Sequence, residues 1–301
     1  MYQRKLLAVA IASAFAAATA PTLAAPTNFD AFTPMPSSVT TNVPIAQEGN
    51  TIVFGSPNIV ATQIGDRNTQ LAAGQPNTGN WDMITLNETG PEAGRYLFTV
   101  YETGSSGVQR TDLNTNISAT IWQSPSSTSP TNHVAFDASY WTPWGTFVTA
   151  EESWSTAAAG STSPYGRFFE LTNAITATSN TDAQFFHRNV IPRTSHEGVQ
   201  WDADNNMYFI DELNGGTVFK YVPKGGAAAG AAGTYFDAGT TYVLRVGEGT
   251  TANATGSFEW VPFTDADGNA LAGALTITDV NGVTSVDGRN TVNLDPFRGT
   301  D

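Results

Sequence analysis

The sequence predicts an all-β fold of short strands gathered into small antiparallel sheets, a β-propeller before a β-sandwich. Three observations carry this. Charged residues are only 13 % of the chain, while Gly, Ser, Thr and Asn are abundant, a mix that suits strands and turns more than helices. Runs of aromatic and β-branched residues recur at short intervals, each closed by turn residues. No amphipathic pattern longer than about three helical turns occurs. Hydrophobic residues at 40 %, with 17 Phe and 7 Trp, supply a core and exclude wholesale disorder. A propeller blade is a four-stranded sheet of roughly forty to fifty residues. A β-sandwich gives similar spacing and no strict Trp-Asp repeat marks the blades, so strand grouping alone favours the propeller.

In chain order, residues 1–25 read as a secretory leader. Arg4 and Lys5 form its basic start, Leu6 to Ala18 its apolar core, and Thr22-Leu23-Ala24 its cleavage region, the pattern of a signal peptide. No Arg-Arg pair is present, so general rather than twin-arginine export is expected. The apolar core is too short to span a membrane. Residues 26–50 carry Pro26, Pro34, Pro36 and Pro44 and read as an extended arm. Residues 51–301 are expected to form the propeller. Its clearest strands are Thr51–Phe54, Trp81–Leu86, Tyr96–Tyr101, Ile117–Trp122, Thr146–Ala150, Gly166–Leu171, Met207–Ile210, Thr217–Val222, Thr241–Val246 and Ser257–Phe263. Ser124 to Thr131, residues 154–166 and Gly225 to Gly233 read as loops. Residues 265–288 read as polar, with Asp-containing turns.

Lys plus Arg is 13 against 27 Asp plus Glu, a formal charge of −14. Such a surface repels phosphate backbones and excludes nucleic-acid binding, while it suits hard divalent cations. There is no Cys, which excludes disulfides, thiolate ligands and a Cys nucleophile.

The chain is best read around Asn189 to Val222. There Glu197 stands ahead of one strand, and Asp211 and Glu212 stand at the end of the next, beside Asn214-Gly215-Gly216. Glu151 and Glu152 likewise close the strand Thr146–Ala150. Carboxylates gathered in this way repel unless a cation joins them. For Glu151 and Glu152 a solvated loop pair is the simpler alternative. Ser195-His196 lacks the Gly-x-Ser-x-Gly setting of a serine hydrolase, so His196 is expected to be structural. Asp202, Asp265 and Asp279 each open an Asx turn rather than a calcium loop. Trp141, Trp144 and Trp201 are expected in the core.

Three segments in order, Thr142–Glu152, Ile191–Gly198 and Met207–Gly216 running on to Tyr221–Pro223, resemble the PhoX-type alkaline phosphatases, exported bacterial β-propeller phosphatases. The resemblance implies six blades around calcium and iron, and hydrolysis of small phosphate monoesters outside the cytoplasm. By position it implies Glu151, Glu197 and Asp211 as metal ligands, with Glu152 and Glu212 as seconds. Two departures alter those expectations. The family carries Cys as an iron ligand where Ala150 stands, so Ca²⁺ is expected and iron loses its usual thiolate. The chain also stops at Asp301 without the family's later Arg- and Glu-bearing motif, so a ring lacking its C-terminal blades is expected. A monomer is expected. The rivals to a phosphatase-like enzyme are a non-catalytic calcium-binding propeller and, further off, a lactonase-type propeller.

Overall fold

A computed structural model describes residues 62–75, 80–126, 131–152, 165–212, 217–225, 233–247, 255–269, 271, 276–278 and 284–286. The leader, the arm and the strand expected at Thr51–Phe54 lie outside the described residues, as does the Asp279 turn. The chain divides into two compact units, 1–63 and 64–301, and every described strand belongs to the second.

Three antiparallel meanders dominate. Sheet 1 holds β1 (Trp81–Leu86), β2 (Tyr96–Tyr101), β3 (Gly107–Asp112) and β4 (Ile117–Gln123). Sheet 2 holds β5 (Phe136–Trp141), β6 (Phe147–Glu151), β7 (Phe168–Leu171) and β8 (Phe185–His187). Sheet 3 has five strands, β9 (His196–Trp201), β10 (Met207–Asp211), β11 (Val218–Pro223), β12 (Gly239–Val246) and β13 (Phe258–Pro262). A hairpin of β14 (Thr276–Thr278) and β15 (Thr284–Val286) follows. The one described helix, α1 (Arg67–Ala72), starts at Asp66, whose side chain accepts from the Thr69 N–H at 2.9 Å, the usual N-cap bond.

The sheets pack face to face with sheet 2 in the middle. Phe98, Val100 and Ile121 of sheet 1 share one apolar layer with Phe136, Phe147, Phe169 and Leu171 of sheet 2. Ala138, Val148 and Phe168, from the other face of sheet 2, share a second layer with Met207, Phe209, Phe219 and Val243 of sheet 3. Burial therefore runs unbroken along β6 and β7 but alternates along β11, as expected for strands covered on two faces and on one. Trp141 stacks on Phe98, and Trp144 and Trp201 pack around Tyr235, so the tryptophans are core residues as expected. Two positions need glycine. Gly145, at φ +88°, closes the β5–β6 hairpin by donating to the Thr142 carbonyl at 3.0 Å. At Gly239 an added Cβ would stand 2.4 Å from the Tyr221 ring.

The first strand of each sheet lies beside the first strand of the next, β1 against β5 and β5 against β9. Within the described residues the strand runs expected from sequence recur within a residue or two, but β3, β5, β8, β14 and β15 carried no clear strand signal. β3 reads Gly-Val-Gln-Arg-Thr-Asp because its face away from sheet 2 is polar: Gln109 donates to Tyr101 Oη at 3.1 Å and also bonds Gln70 of α1 at 2.5 Å. β5 is interrupted by Asp137 and Ser139, both buried, and β8 has three residues. β14 and β15 occupy a stretch that reads as turns. Glu197, expected ahead of a strand, is the second residue of β9.

Removing a fully buried ring from the layer between sheets 2 and 3 leaves a cavity that rigid sheets cannot close. Phe168→Ala is expected to lose about 3–5 kcal/mol in urea unfolding, whereas Ile117→Ala, at a side chain 66 % exposed, is expected to change stability by no more than about 0.5 kcal/mol.

Candidate metal centre

The three sheets repeat one local construction. In sheet 1 the first residue of the first strand pairs with the last of the second, Trp81 with Tyr101. In sheet 2 the pair is Phe136 with Glu151, and in sheet 3 His196 with Asp211. Beyond this pair each first strand advances three residues while its partner advances two: Ile84 faces Thr99, Ser139 faces Thr149, and Val199 faces Phe209. A β-bulge thus occupies the same place three times, and its second-position residue is acidic each time: Asp82, Asp137 and Glu197. Bulges re-aim the side chains they carry.

The residue just past each second strand is acidic too: Glu102, Glu152 and Glu212. Its N–H donates in every case to the carbonyl one residue ahead of the first strand. The bonds are Glu102 to Asn80 at 2.9 Å, Glu152 to Ala135 at 2.6 Å and Glu212 to Ser195 at 2.9 Å. One backbone register therefore sets all six carboxylates.

The six interact in a connected set of pairs. Asp137 is buried. Burial first, then the charge of Asp82 and a hydrogen bond with it, then Glu197 and Glu102, push its carboxyl up to about 8. Glu152 is pushed up to about 9 by burial, then by hydrogen bonding and repulsion with Glu212, then by Glu102 and Asp137. Glu197 is raised by burial and by Glu212 and Asp82. Carboxyls that meet away from water keep protons that exposed ones lose. The group grades from exposed Glu212, through half-buried Asp82, Glu102 and Glu197, to buried Asp137 and Glu152, so solvent reaches one side of it. Asn80 Nδ2 donates to Glu102 Oε2 at 2.6 Å.

Of the residues singled out in the sequence, Glu152, Glu197 and Glu212 belong to this group. Glu151 does not face it: both of its oxygens meet Arg167, with Nη2 at 2.7 Å from Oε1 and Nε at 3.0 Å from Oε2. Asp211 Oδ1 accepts from the Ser195 N–H at 3.1 Å. Asp82, Glu102 and Asp137 escaped the sequence reading, because single acids beside aromatic residues look unremarkable until the strands are in register. His196 packs between Phe168 and Phe209. Asp202 and Asp265 each accept two N–H groups of their own turns, at 2.9 Å, and are Asx turns.

The donor set fits a hard cation. All six groups are carboxylates, and Asp137 Oδ1 is buried with no hydrogen-bond partner, an acceptor that lacks a positive neighbour. As the side chains stand, no three His, Asp or Glu among the described residues form a ready ligand cage. Ala150 lies fully buried in the apolar layer between sheets 2 and 3 and offers no ligand, so the thiolate iron site of the resemblance does not fit here.

Fold and site together define an all-β protein with a cluster of acidic side chains at the strand ends of three sheets. A family model, alkaline phosphatase PhoX, matches residues 138–295, just over half of the chain. The chain belongs to the PhoX alkaline phosphatase family. The match takes in Glu152, Glu197 and Glu212, while Asp82, Glu102 and Asp137 precede it. No curated protein and no solved structure matches the chain. Among the described residues no helix is long and apolar enough to cross a membrane.

Asp137 and Glu152 have raised folded-state pKa values. They therefore favour the folded state fully below about pH 4, the unfolded carboxylate range, and this contribution is lost as pH rises through about 8 and 9. In EDTA, Tm is expected to fall by ~5 °C or more between pH 5 and 9.5, and the double variant Asp137→Asn/Glu152→Gln is expected to flatten that fall in a calorimetric pH series.

Proposed function

We propose that the protein is an exported, calcium-dependent phosphatase-like hydrolase of small phosphate monoesters, with its site on the axis of a β-propeller. The repeated bulge that gathers Asp82, Glu102, Asp137, Glu152, Glu197 and Glu212 is the observation that carries this. Sheets 1 to 3 are consecutive blades, supported by their meander order and by the packing of β1 on β5 and β5 on β9. The family's blade count is six, and residues 1–25 act as a general export leader.

These carboxylates are the residues that would hold Ca²⁺, an ion that takes six to eight oxygens in flexible geometry. Bound there, Ca²⁺ supplies positive charge for phosphoryl oxygens, where charge stabilisation dominates catalysis. The chain's own part is to bring the carboxylates into register, to keep Asp137 and Glu152 away from water, and to leave the Glu212 side open for an ester to enter. Without a cation the same carboxylates would repel a phosphate dianion.

Ala150 favours a second possibility, a calcium-binding propeller without turnover, because it removes a ligand that the family uses. Calorimetry and an aryl phosphate assay separate the two. Ca²⁺ at about 100 times its Kd is expected to add about 2.7 kcal/mol of stability and to support release of p-nitrophenol from p-nitrophenyl phosphate. Glu152→Gln is expected to cut both affinity and rate by ~10-fold or more, since a buried ligand charge is lost. Stabilisation without hydrolysis supports the non-catalytic alternative. Failure of Ca²⁺ to stabilise the folded chain rules out both.

A further inference from the structure

The two acidic dipeptides that close second strands, Glu151-Glu152 and Asp211-Glu212, differ in what their two members do. Side chains of successive residues in extended backbone point to opposite faces. Glu152 and Glu212 reach the axial carboxylates. Glu151 and Asp211, one residue earlier, turn to the chain that leads into the first strand of their own sheet. Glu151 Oε1 accepts from the Val134 N–H at 3.1 Å, two residues ahead of β5. Asp211 Oδ1 accepts from the Ser195 N–H, one residue ahead of β9.

Glu151 is fully buried and is held further by Arg167. Its Oε2 accepts from both the backbone N–H and Nε of Arg167, each at 3.0 Å, and its Oε1 accepts from Nη2 at 2.7 Å. Arg167 Nη2 also donates to the Asn132 carbonyl at 2.8 Å. This planar, bidentate pair fixes orientation as well as charge. It ties the start of β7 and the segment 132–134 to the end of β6, and so sets the backbone on either side of Asp137 and Glu152.

We propose that Glu151 and Arg167 are a positioning pair for the axial site: Glu151 is not a metal ligand but holds Glu152 and Asp137 in place through Arg167, Val134 and Asn132. This rests on the calcium site proposed above. The pair acts on ligands through backbone and hydrogen bonds, and loss of such outer partners costs ~10–100-fold in metal affinity without removing a ligand.

Calcium titration of the full chain by calorimetry tests this. Glu151→Gln is expected to keep the wild-type number of Ca²⁺ ions and to weaken their binding by ~10-fold or more. Adding Arg167→Gln in the same chain removes the buried guanidinium left without its counter-charge and is expected to restore part of the affinity. Stoichiometry separates this from a ligand role, because removal of the Arg167 charge favours a nearby cation in either case. If Glu151→Gln does not fold, Arg167→Lys supplies the same test: it keeps Glu151 and the charge but loses the bidentate fork, and it is expected to weaken Ca²⁺ binding at unchanged stoichiometry. Loss of a Ca²⁺ equivalent in Glu151→Gln, no rescue by the second substitution, or wild-type affinity in Arg167→Lys each overturns the positioning role. A wild-type chain that binds no Ca²⁺ overturns the calcium site itself, and the positioning role with it.

Discussion

The acidic cluster of this protein is governed by repulsion between carboxylates that the backbone brings together. Side chains of like charge separate when they are free to do so. Here they are not free, because each is fixed by a strand pairing, a bulge and a main-chain hydrogen bond that recur in three sheets. The remaining ways to relieve the strain are to share protons or to bind a cation. Burial and the neighbouring carboxylates raise Asp137 to about 8 and Glu152 to about 9, the direction that the first requires. The chain belongs to an alkaline phosphatase family, and a cation held as proposed above would turn a cluster that repels phosphate into one that receives it.

Rigidity at the acidic cluster comes from the packing around it. Sheet 2 is buried on both faces, so β6 cannot shift without disturbing two apolar layers. The same sheet holds two buried ion pairs, Arg167 with Glu151 and Arg188 with Glu170. Glu170 also accepts from Trp144 Nε1 at 2.9 Å and from Thr146 Oγ1 at 2.5 Å. Buried pairs of this kind add little net stability relative to apolar residues. Their value lies in direction, since a guanidinium on a carboxylate fixes the orientation of both side chains.

Most of the fold was legible in the sequence, and only part of the site. Aromatic and β-branched runs such as Tyr96–Tyr101 and Met207–Asp211 announced their strands because the first is buried along its last four residues and the second buries one face. β3 and β5 did not, because polar residues inside them serve the α1 contact and the acidic centre. Glu152, Glu197 and Glu212 could be singled out because they sit in motifs or in acidic pairs. Asp82, Glu102 and Asp137 could not, since nothing near them in sequence says that a bulge lies beneath them. Adjacent acids also look equivalent in a sequence, and strand alternation is what separates Glu151 from Glu152.

A crystal structure of the protein grown with Ca²⁺ tests the centre most directly. Density for Ca²⁺ is expected about 2.3–2.6 Å from carboxylate oxygens contributed by at least two of the three sheets, Asp137 and Glu152 among them. Ca²⁺ found only at the surface turns of Asp202 or Asp265, with Asp137 still hydrogen-bonded to Asp82 and Glu152 to Glu212, would contradict it.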